Sequence, residues 1–276
     1  MRKKVLYIII FIGVCIIIGA TYSLQYYYAP PKFRQPYQTI TTPDDTLRIA
    51  FIGDSWAFMH KDHNCKIAQI LQDSLHWPVK VHSYGVCGLT SKEIYKNIFE
   101  NSDFKQFISK RRYKYCYVSA GINDTYKKMS TLYYLQSIDG IIQFLLFNHI
   151  RPIIQEIPDY DINISFKRQK ASRKLLRRLS MMIINTPLDC KQLFRDALDD
   201  MIFEKNYLGK VSIIRYKSWN GDGDQDLDHL YRSDGLHLND NGYAVLDKAI
   251  TMEILNLITT EHNTESPLES DADHHR

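Results

Sequence analysis

A serine and a histidine stand where they could form a nucleophile and its base. Ser55 follows the apolar residues 49–52 and a Gly-Asp turn, so we expect it just after a buried strand. A serine hydroxyl is a weak nucleophile at neutral pH and needs an adjacent base, for which His237 is the candidate. Asp234 lies three residues before His237, so its carboxylate could fix the imidazole tautomer and stabilise the imidazolium. Together these side chains could perform acyl transfer.

Each of these signals also has an ordinary structural explanation. Gly-Asp-Ser is a common turn whose Asp or Ser caps a helix, and Asp-x-x-His is a weak signal in a chain with ten histidines. Glycines at 85 and 88 suit turns, and Asn123 suits an Asx-turn. Taken singly, each structural explanation is the better one. The functional interpretation is favoured because the residues occur together, with Ser55, Gly88 and Asn123 each following a predicted strand.

Four short segments, in this order, resemble the serine, glycine, asparagine and histidine blocks of the SGNH (GDSL-type) hydrolases. They are Gly53-Asp54-Ser55, Gly85-Val86-Cys87-Gly88, Gly121-Ile122-Asn123-Asp124 and Asp234-Gly235-Leu236-His237. The resemblance covers roughly residues 45–259. It implies a catalytic triad of Ser55, His237 and Asp234. It also implies an oxyanion hole made by the amides of Ser55 and Gly88 and the side chain of Asn123, each donor worth about 2.7–4 kcal/mol.

Two positions depart from the family pattern. The family often has small residues after the nucleophile, whereas this chain has Trp56-Ala57-Phe58-Met59-His60. Ser83 stands where the family often has asparagine. We expect Trp56 and Phe58 to narrow the acyl pocket, which predicts a preference for acetyl over long-chain esters. The alternative is that these rings pack inward as part of the core.

The elements that must position these residues follow from hydrophobic periodicity. Strand-like runs occupy residues 46–52, 79–84, 113–119, 150–157 and 211–216, and the clearest helical period between them covers residues 131–149. Alternating strands and helices predict a parallel sheet in a three-layer α/β domain, where ligands bind beyond the carboxyl ends of the strands. The resemblance implies the same fold, a flavodoxin-like α/β/α domain with a five-stranded parallel sheet.

The N-terminal segment is long and apolar enough to cross a membrane. Basic residues 2–4 precede residues 5–24, which are mostly apolar and would span about 30 Å as a helix. Basic residues ahead of a first apolar segment keep the N-terminus cytoplasmic and send the following chain outward. The run exceeds a typical signal-peptide core, so residues 1–24 are predicted to be an uncleaved anchor. Cleavage after Gly19-Ala20 is the alternative.

Composition sets the remaining boundaries. Residues 25–44 contain four prolines and are predicted to be an extended tether that holds the domain off the membrane. The hydrolase domain is predicted over 45–259, and the polar, acidic residues 260–276 as a disordered tail. The basic run 166–184 is predicted to be a solvated helix face, and binding to anionic lipid or acidic polysaccharide is the less favoured alternative.

Two further features concern metal binding and redox state. Aspartates 222, 224, 226 and 228 alternate as in a calcium loop but lack the glycine and final glutamate of an EF-hand, so we expect a solvated loop and no metal. Exported proteins retain disulfides, and Cys65 and Cys87 belong to the same predicted rim, so we expect them to be bridged. Cys116 is predicted to be a packed thiol inside a strand.

These features predict a membrane-anchored, extracytoplasmic serine esterase that needs no cofactor. Its predicted partners are the membrane and a small-molecule or glycan ester, with short acyl groups on carbohydrate favoured. An acyltransferase, a lipase or thioesterase, and a catalytically silent glycan-binding protein are the alternatives. The net charge of +4 is too small to indicate nucleic acid. The oligomeric state is left open.

Overall fold

The computed structural model describes residues 2–39, 45–220 and 229–265, and within these residues five parallel strands form one sheet in the order β2-β1-β3-β4-β5. The predicted parallel sheet is confirmed, and each strand overlaps its predicted range. The strands are β1 (Leu47–Gly53), β2 (Val79–Gly85), β3 (Tyr115–Ser119), β4 (Arg151–Gln155) and β5 (Ser212–Ile214).

Helices connect the strands and cover the sheet. They are α1 (Arg2–Tyr28), α2 (Ser55–Met59), α3 (Asn64–Leu75), α4 (Ser91–Glu100), α5 (Ser102–Ser109), α6 (Ile122–Lys127), α7 (Thr131–Phe147), α8 (Ile162–Lys167), α9 (Ala171–Ile184), α10 (Lys191–Glu204) and α11 (Asp240–Glu265). A sheet covered on both faces needs apolar residues in succession rather than in alternation. In β1, Ile49, Phe51 and Ile52 are all fully buried, which accounts for the continuous apolar run.

Polar caps set the starts of the longer helices. The Ser130 hydroxyl accepts a hydrogen bond from the Tyr133 amide at 3.1 Å, so α7 begins where its apolar period predicts. Its apolar residues Ile138 and Ile142 are fully buried. Asn239 caps the last helix, because its side-chain oxygen accepts a hydrogen bond from the Gly242 amide at 3.0 Å.

Two glycines let the carboxyl ends of the strands come unusually close to their neighbours. A Cβ on Gly53 would lie 2.0 Å from the carbonyl oxygen of Ser119, and a Cβ on Gly85 would lie 2.1 Å from the nitrogen of Phe58. Neither distance is possible for a real side chain. The ends of β1, β2 and β3 are thus packed around the first turn of α2 at a spacing that only glycine allows.

The segment after α1 differs from the predicted tether. Helix α1 continues to Tyr28, and residues 30–39 have no regular secondary structure but lie against the domain instead of holding it away. The Thr39 amide donates to the Asn148 side chain at 2.7 Å. The Tyr37 ring packs on Phe144 with centroids 5.0 Å apart. The segment stays on the domain because an aromatic side chain and backbone donors both find partners there.

The C-terminal helix also extends beyond its expected end. Helix α11 runs to Glu265, past residue 260, where a disordered tail was predicted to begin. Glu261 accounts for this extension, since it accepts from the Tyr115 hydroxyl at 3.0 Å and pairs with Lys114 at 2.7 Å and Arg151 at 3.4 Å. The rest of the predicted tail, residues 266–276, lies outside the described residues.

The expected disulfide is not present. Cys65 and Cys87 are both free and exposed. The start of α3 is joined to β2 by a polar contact instead: the Asn64 side-chain amide lies 2.7 Å from the hydroxyl of Ser83. Cys116 is fully buried in β3, as predicted for a packed thiol.

Candidate active site

Ser55 is the first residue of α2, directly after the turn that ends β1. The helix begins here because Oδ1 of Asp54 accepts a hydrogen bond from the Trp56 amide at 3.0 Å. Ser55 is 6% exposed, so its hydroxyl is shielded from most of the solvent but not sealed off. Its position past the strand end is the one that the apolar run and the glycine predict.

The side chains of Ser55, His237 and Asp234 form a hydrogen-bonded chain. Nε2 of His237 lies 3.0 Å from Oγ of Ser55. Nδ1 of the same ring lies 2.7 Å from Oδ2 of Asp234. When Nδ1 carries the proton and donates to the carboxylate, Nε2 can accept the proton of the serine hydroxyl. The structure thus places these three side chains in the order that this proton transfer requires.

The other carboxylate oxygen of Asp234 fixes the loop that carries the histidine. Oδ1 accepts hydrogen bonds from the amides of Leu236 at 2.9 Å and His237 at 3.0 Å. Gly235, which directly follows Asp234, has a φ of +68°, a value that glycine adopts at little cost. The Asp161 amide donates to the Gly235 carbonyl at 2.9 Å and joins this loop to the start of α8. Asp234 therefore orients the His237 imidazole in two ways, through its bond to the ring and through its bonds to the loop that carries the ring.

The charge of Asp234 suits this role. Partial burial raises the pKa of Asp234, but hydrogen bonds from the His237 ring and from the amides of His237 and Leu236 lower it by more. The net pKa lies below the ordinary value for aspartate. The carboxylate is thus ionised at neutral pH, where it can stabilise a positive charge that develops on the imidazole.

Asn123 lies in the first turn of α6. Its side-chain nitrogen donates to Oδ2 of Asp54 at 3.3 Å, which holds the amide next to the residue that precedes Ser55. A primary amide has two N–H bonds, so one can bind Asp54 while the other is offered to a substrate oxygen. Asn123 is 7% exposed, which suits a donor that must act where little water competes.

Gly88 lies in the loop after β2 and has a φ of +80°, a conformation that favours glycine. A Cβ at this position would meet nothing within 4 Å, so this side of the backbone is open. The Gly88 carbonyl accepts a hydrogen bond from Nζ of Lys127 at 2.6 Å. Lys127 is the last residue of α6, so the bond joins the glycine loop to the helix that carries Asn123.

Asp54 contributes more than the helix cap that its position suggests. Its carboxyl is fully buried and receives donors from three elements: the Trp56 amide, the Ser119 hydroxyl at 3.2 Å, and Asn123. Burial raises the pKa of Asp54 to about 7, although these donors lower it. The network joins α2, β3 and α6. Sequence reasoning misses it, and the position of Asp54 beside the nucleophile is the one available signal.

Asp124 secures α6 from another direction. Its Oδ2 accepts from the Ser91 amide at 2.8 Å and its Oδ1 from the Ser91 hydroxyl at 2.6 Å. Burial raises the pKa of Asp124 to about 6, against the lowering effect of these hydrogen bonds. The pair joins α6 to the start of α4. The sequence gives no sign of this contact, because the two residues are 33 positions apart.

The two aromatic residues after the nucleophile have different environments. Trp56 is fully buried, and its ring packs against Trp219 and Tyr231 with centroid separations of 6.0 and 6.3 Å. The expectation that Trp56 narrows an acyl pocket is therefore wrong, because α2 turns this residue into the core. Phe58, by contrast, is 52% exposed.

Metal binding has no support in the part of the chain that the structure describes. Within residues 2–39, 45–220 and 229–265, no group of three or more His, Cys, Asp or Glu side chains is placed to hold an ion. The acidic loop with aspartates 222, 224, 226 and 228 lies outside those residues.

Comparison with known proteins defines the fold. No family model matches the sequence, and no curated protein matches it. Among solved structures, the chain is similar to a lipase/acylhydrolase from Enterococcus faecalis, with a TM-score of 0.54 and 16% identity over 75% of this chain and 95% of that chain. An acetylxylan esterase from Geobacillus stearothermophilus matches with a TM-score of 0.52 and 15% identity over 75% and 94% of the two chains. The chain therefore has the α/β fold that the resemblance implies.

The Asp54 network leads to a prediction about stability and pH. Because folding raises the pKa of Asp54 from 3.8 to about 7, the folded state binds the proton more tightly, and stability falls as the pH rises through that interval. Hydrogen bonds to an ionised acceptor contribute about 1.5–3 kcal/mol, compared with about 0.5–1.5 for a neutral one. Ser119→Ala should therefore destabilise the protein by about 1 kcal/mol more at pH 8 than at pH 5.

Urea unfolding of the protein at the two pH values measures this difference. Ser137→Ala is the matched control, since Ser137 is also fully buried but donates to a neutral acceptor, the Tyr133 carbonyl, at 2.6 Å. Its effect should be the same at both pH values. An equal effect of Ser119→Ala at pH 5 and pH 8 would contradict the assigned role of Asp54.

Proposed function

We propose that this protein is a membrane-anchored, extracytoplasmic serine esterase of the GDSL type. It removes short acyl groups, acetyl above all, from carbohydrate through an acyl-serine intermediate. The observation that carries the proposal is the hydrogen-bonded chain from Ser55 through His237 to Asp234, with distances of 3.0 and 2.7 Å. The family's motif residues and the fold support the same conclusion.

In the proposed reaction, Oγ of Ser55 attacks the ester carbonyl carbon while Nε2 of His237 takes the hydroxyl proton. The carbonyl oxygen becomes an oxyanion, which accepts hydrogen bonds from the amides of Ser55 and Gly88 and from the Asn123 side chain. His237 then gives its proton to the departing alcohol oxygen, and the acyl group stays on Ser55. Water, activated by the same imidazole, attacks the acyl-enzyme and releases the carboxylic acid.

The short-acyl preference is supported by Phe58 and by one structural relative. Trp56 no longer supports it, because its ring is buried in the core. Phe58 is 52% exposed. It lies close to Ser55 in the chain, and its amide donates to the Asp54 carbonyl at 3.0 Å. An acetylxylan esterase with the same fold makes an acetylated glycan a reasonable substrate class.

The membrane anchor is supported by α1. Residues Lys3–Tyr28 form a helix long and apolar enough to cross a bilayer, and none of its apolar window is buried against the rest of the chain. A helix of this kind in a soluble domain would cover its apolar side with the core. The basic residues 2–4 orient the N-terminus toward the cytoplasm, which places the hydrolase domain outside.

Substitution of the triad tests the mechanism. Ser55→Ala should lower kcat for p-nitrophenyl acetate by about 10⁶-fold, because the nucleophile is lost. Asp234→Asn should lower it by about 10⁴-fold, because the amide cannot hold the reactive imidazole tautomer. A fluorophosphonate probe should label the wild type and an exposed-serine control, Ser218→Ala, but not Ser55→Ala. Unchanged labelling of a folded Ser55→Ala protein would contradict the proposed mechanism.

Acyl chain length tests the substrate class. We expect kcat/KM to be highest for the acetyl ester in a p-nitrophenyl series from two to twelve carbons. A pocket that accommodated the longer chains would instead gain about 0.8 kcal/mol per methylene, close to four-fold in rate. Phe58→Ala should raise activity on long esters and leave the acetyl ester nearly unchanged. A wild-type rate that climbs with chain length would favour a lipase or thioesterase.

Thiol labelling in spheroplasts tests the location of the domain. The exposed thiols of Cys65 and Cys87 should react with a membrane-impermeant maleimide, whereas the buried Cys116 should not. The protein should also remain in the membrane fraction and keep its N-terminal residues. Labelling only after lysis would place the domain in the cytoplasm, and an N-terminus near Thr21 would show that the anchor is cleaved.

A further inference from the structure

Helix α9 has its apolar side turned away from the domain. Five large apolar residues occupy a sector of about 120° around the helix, as follows from 3.6 residues per turn. All five are at least 43% exposed; they are Leu175, Leu176, Leu179, Met182 and Ile183. The side that packs against the domain carries Arg177 and Ser180, both buried. This is the reverse of the arrangement in which an amphipathic helix buries its apolar side in the core.

Arg177 shows that the reversal is built into the packing of the domain. Its guanidinium lies over the Tyr126 ring at 4.2 Å and the Phe166 ring at 5.6 Å, so it is held by cation–π contacts. The residue is 4% exposed. With a buried arginine fixed on one side of α9, the helix cannot rotate to bury its leucines without exposing those contacts. The apolar side needs another partner.

The neighbour of α9 indicates what that partner is. The hydroxyl of Ser180 donates to the hydroxyl of Tyr27 at 2.5 Å, and the hydroxyl of Tyr28 donates to the Ile183 carbonyl at 3.2 Å. These two tyrosines end α1, the proposed membrane-spanning helix, and tyrosines at such an end lie at the level of the lipid headgroups. The C-terminal half of α9 is therefore held at the depth of the interface.

The charges around α9 fit an anionic membrane surface. Residues 162–188 contain seven basic and no acidic side chains. Within α9, Arg173 and Arg178 are exposed and Lys174 is half-exposed, and these residues flank the apolar sector. A helix with an apolar side bordered by basic residues lies in the plane of the interface, with its apolar side among the acyl chains and its charges at the phosphates.

We infer that α9 is an interfacial helix that inserts its apolar side into an anionic phospholipid bilayer, directly beside the protein's own membrane anchor. This inference rests on the anchor in the proposed function and adds a second point of attachment. The hydrolase domain is then fixed in orientation at the membrane surface, because two contacts restrict rotation that a single helix would allow. Helix α9 packs on Tyr126 of α6, the helix of Asn123, so the active site keeps a constant relation to the bilayer.

Site-directed spin labelling of the full chain in phosphatidylglycerol-containing nanodiscs tests this inference. A nitroxide is attached through Leu176→Cys or Met182→Cys in a protein whose exposed cysteines, 15, 65 and 87, are replaced by alanine. Both labels should collide several-fold more often with oxygen, which dissolves in acyl chains, than with a water-soluble nickel chelate. The matched control is Phe203→Cys on α10, where Phe203 is 74% exposed. Its label should collide mainly with the chelate.

A third label at Ile17→Cys, within α1, separates the inference from the anchor on which it rests. If Ile17 reports the bilayer while positions 176 and 182 behave like position 203, the interfacial helix is wrong and the anchor stands. If the label at position 17 also collides mainly with the nickel chelate, both the anchor and the interfacial helix are wrong. Protection of positions 176 and 182 from both reagents would overturn the inference, because a protein surface would then cover α9. In discs of zwitterionic lipid alone, the oxygen preference at 176 and 182 should fall.

Discussion

The buried carboxyl of Asp54 is the contact on which the geometry of the site depends. It receives donors from the first turn of α2, from the end of β3 and from the first turn of α6, so three elements that carry or border Ser55 converge on one side chain. Removing a carboxyl group from water is unfavourable, and the raised pKa of Asp54 reflects that cost. The donors offset the cost, and in doing so they fix where Ser55 and Asn123 stand relative to each other.

The histidine reaches this cluster from the opposite end of the chain and needs its own supports. Asn239 caps α11 just after His237, and Gly235 joins the preceding loop to α8. Helix α11 is held further along by a fully buried contact, in which Nε2 of His60 lies 2.8 Å from Oδ1 of Asp247. Since His60 directly follows α2, this contact is a second link between the helix that begins with Ser55 and the helix that follows His237. The proposed proton transfer between Ser55 and His237 would require such a fixed separation.

Much of this arrangement could be predicted from the sequence, because the information is local. The apolar run of β1 predicts a buried strand, and Asn239 is a recognisable cap. The remainder depends on partners that are distant in the chain. Nothing near Asp54 reveals that Ser119, 65 positions away, donates to it. Trp56 was misassigned for a related reason: a five-residue helix has too little periodicity to show which side faces the core. The predicted disulfide between Cys65 and Cys87 is wrong, because a place at the same edge of the sheet does not by itself fix the geometry that a disulfide needs.

The segment between α1 and β1 has a consequence for any shortened version of the protein. Tyr37 packs on Phe144 and on Phe99 with centroids 5.0 and 6.0 Å apart, and its hydroxyl donates to the Ile98 carbonyl at 2.9 Å. A chain that starts at residue 45 would leave these two phenylalanine rings uncovered, and such surfaces promote aggregation. A chain that starts at residue 29 keeps the cover while losing the apolar helix. The packing of the domain therefore begins just after α1, because Tyr37 covers part of its core.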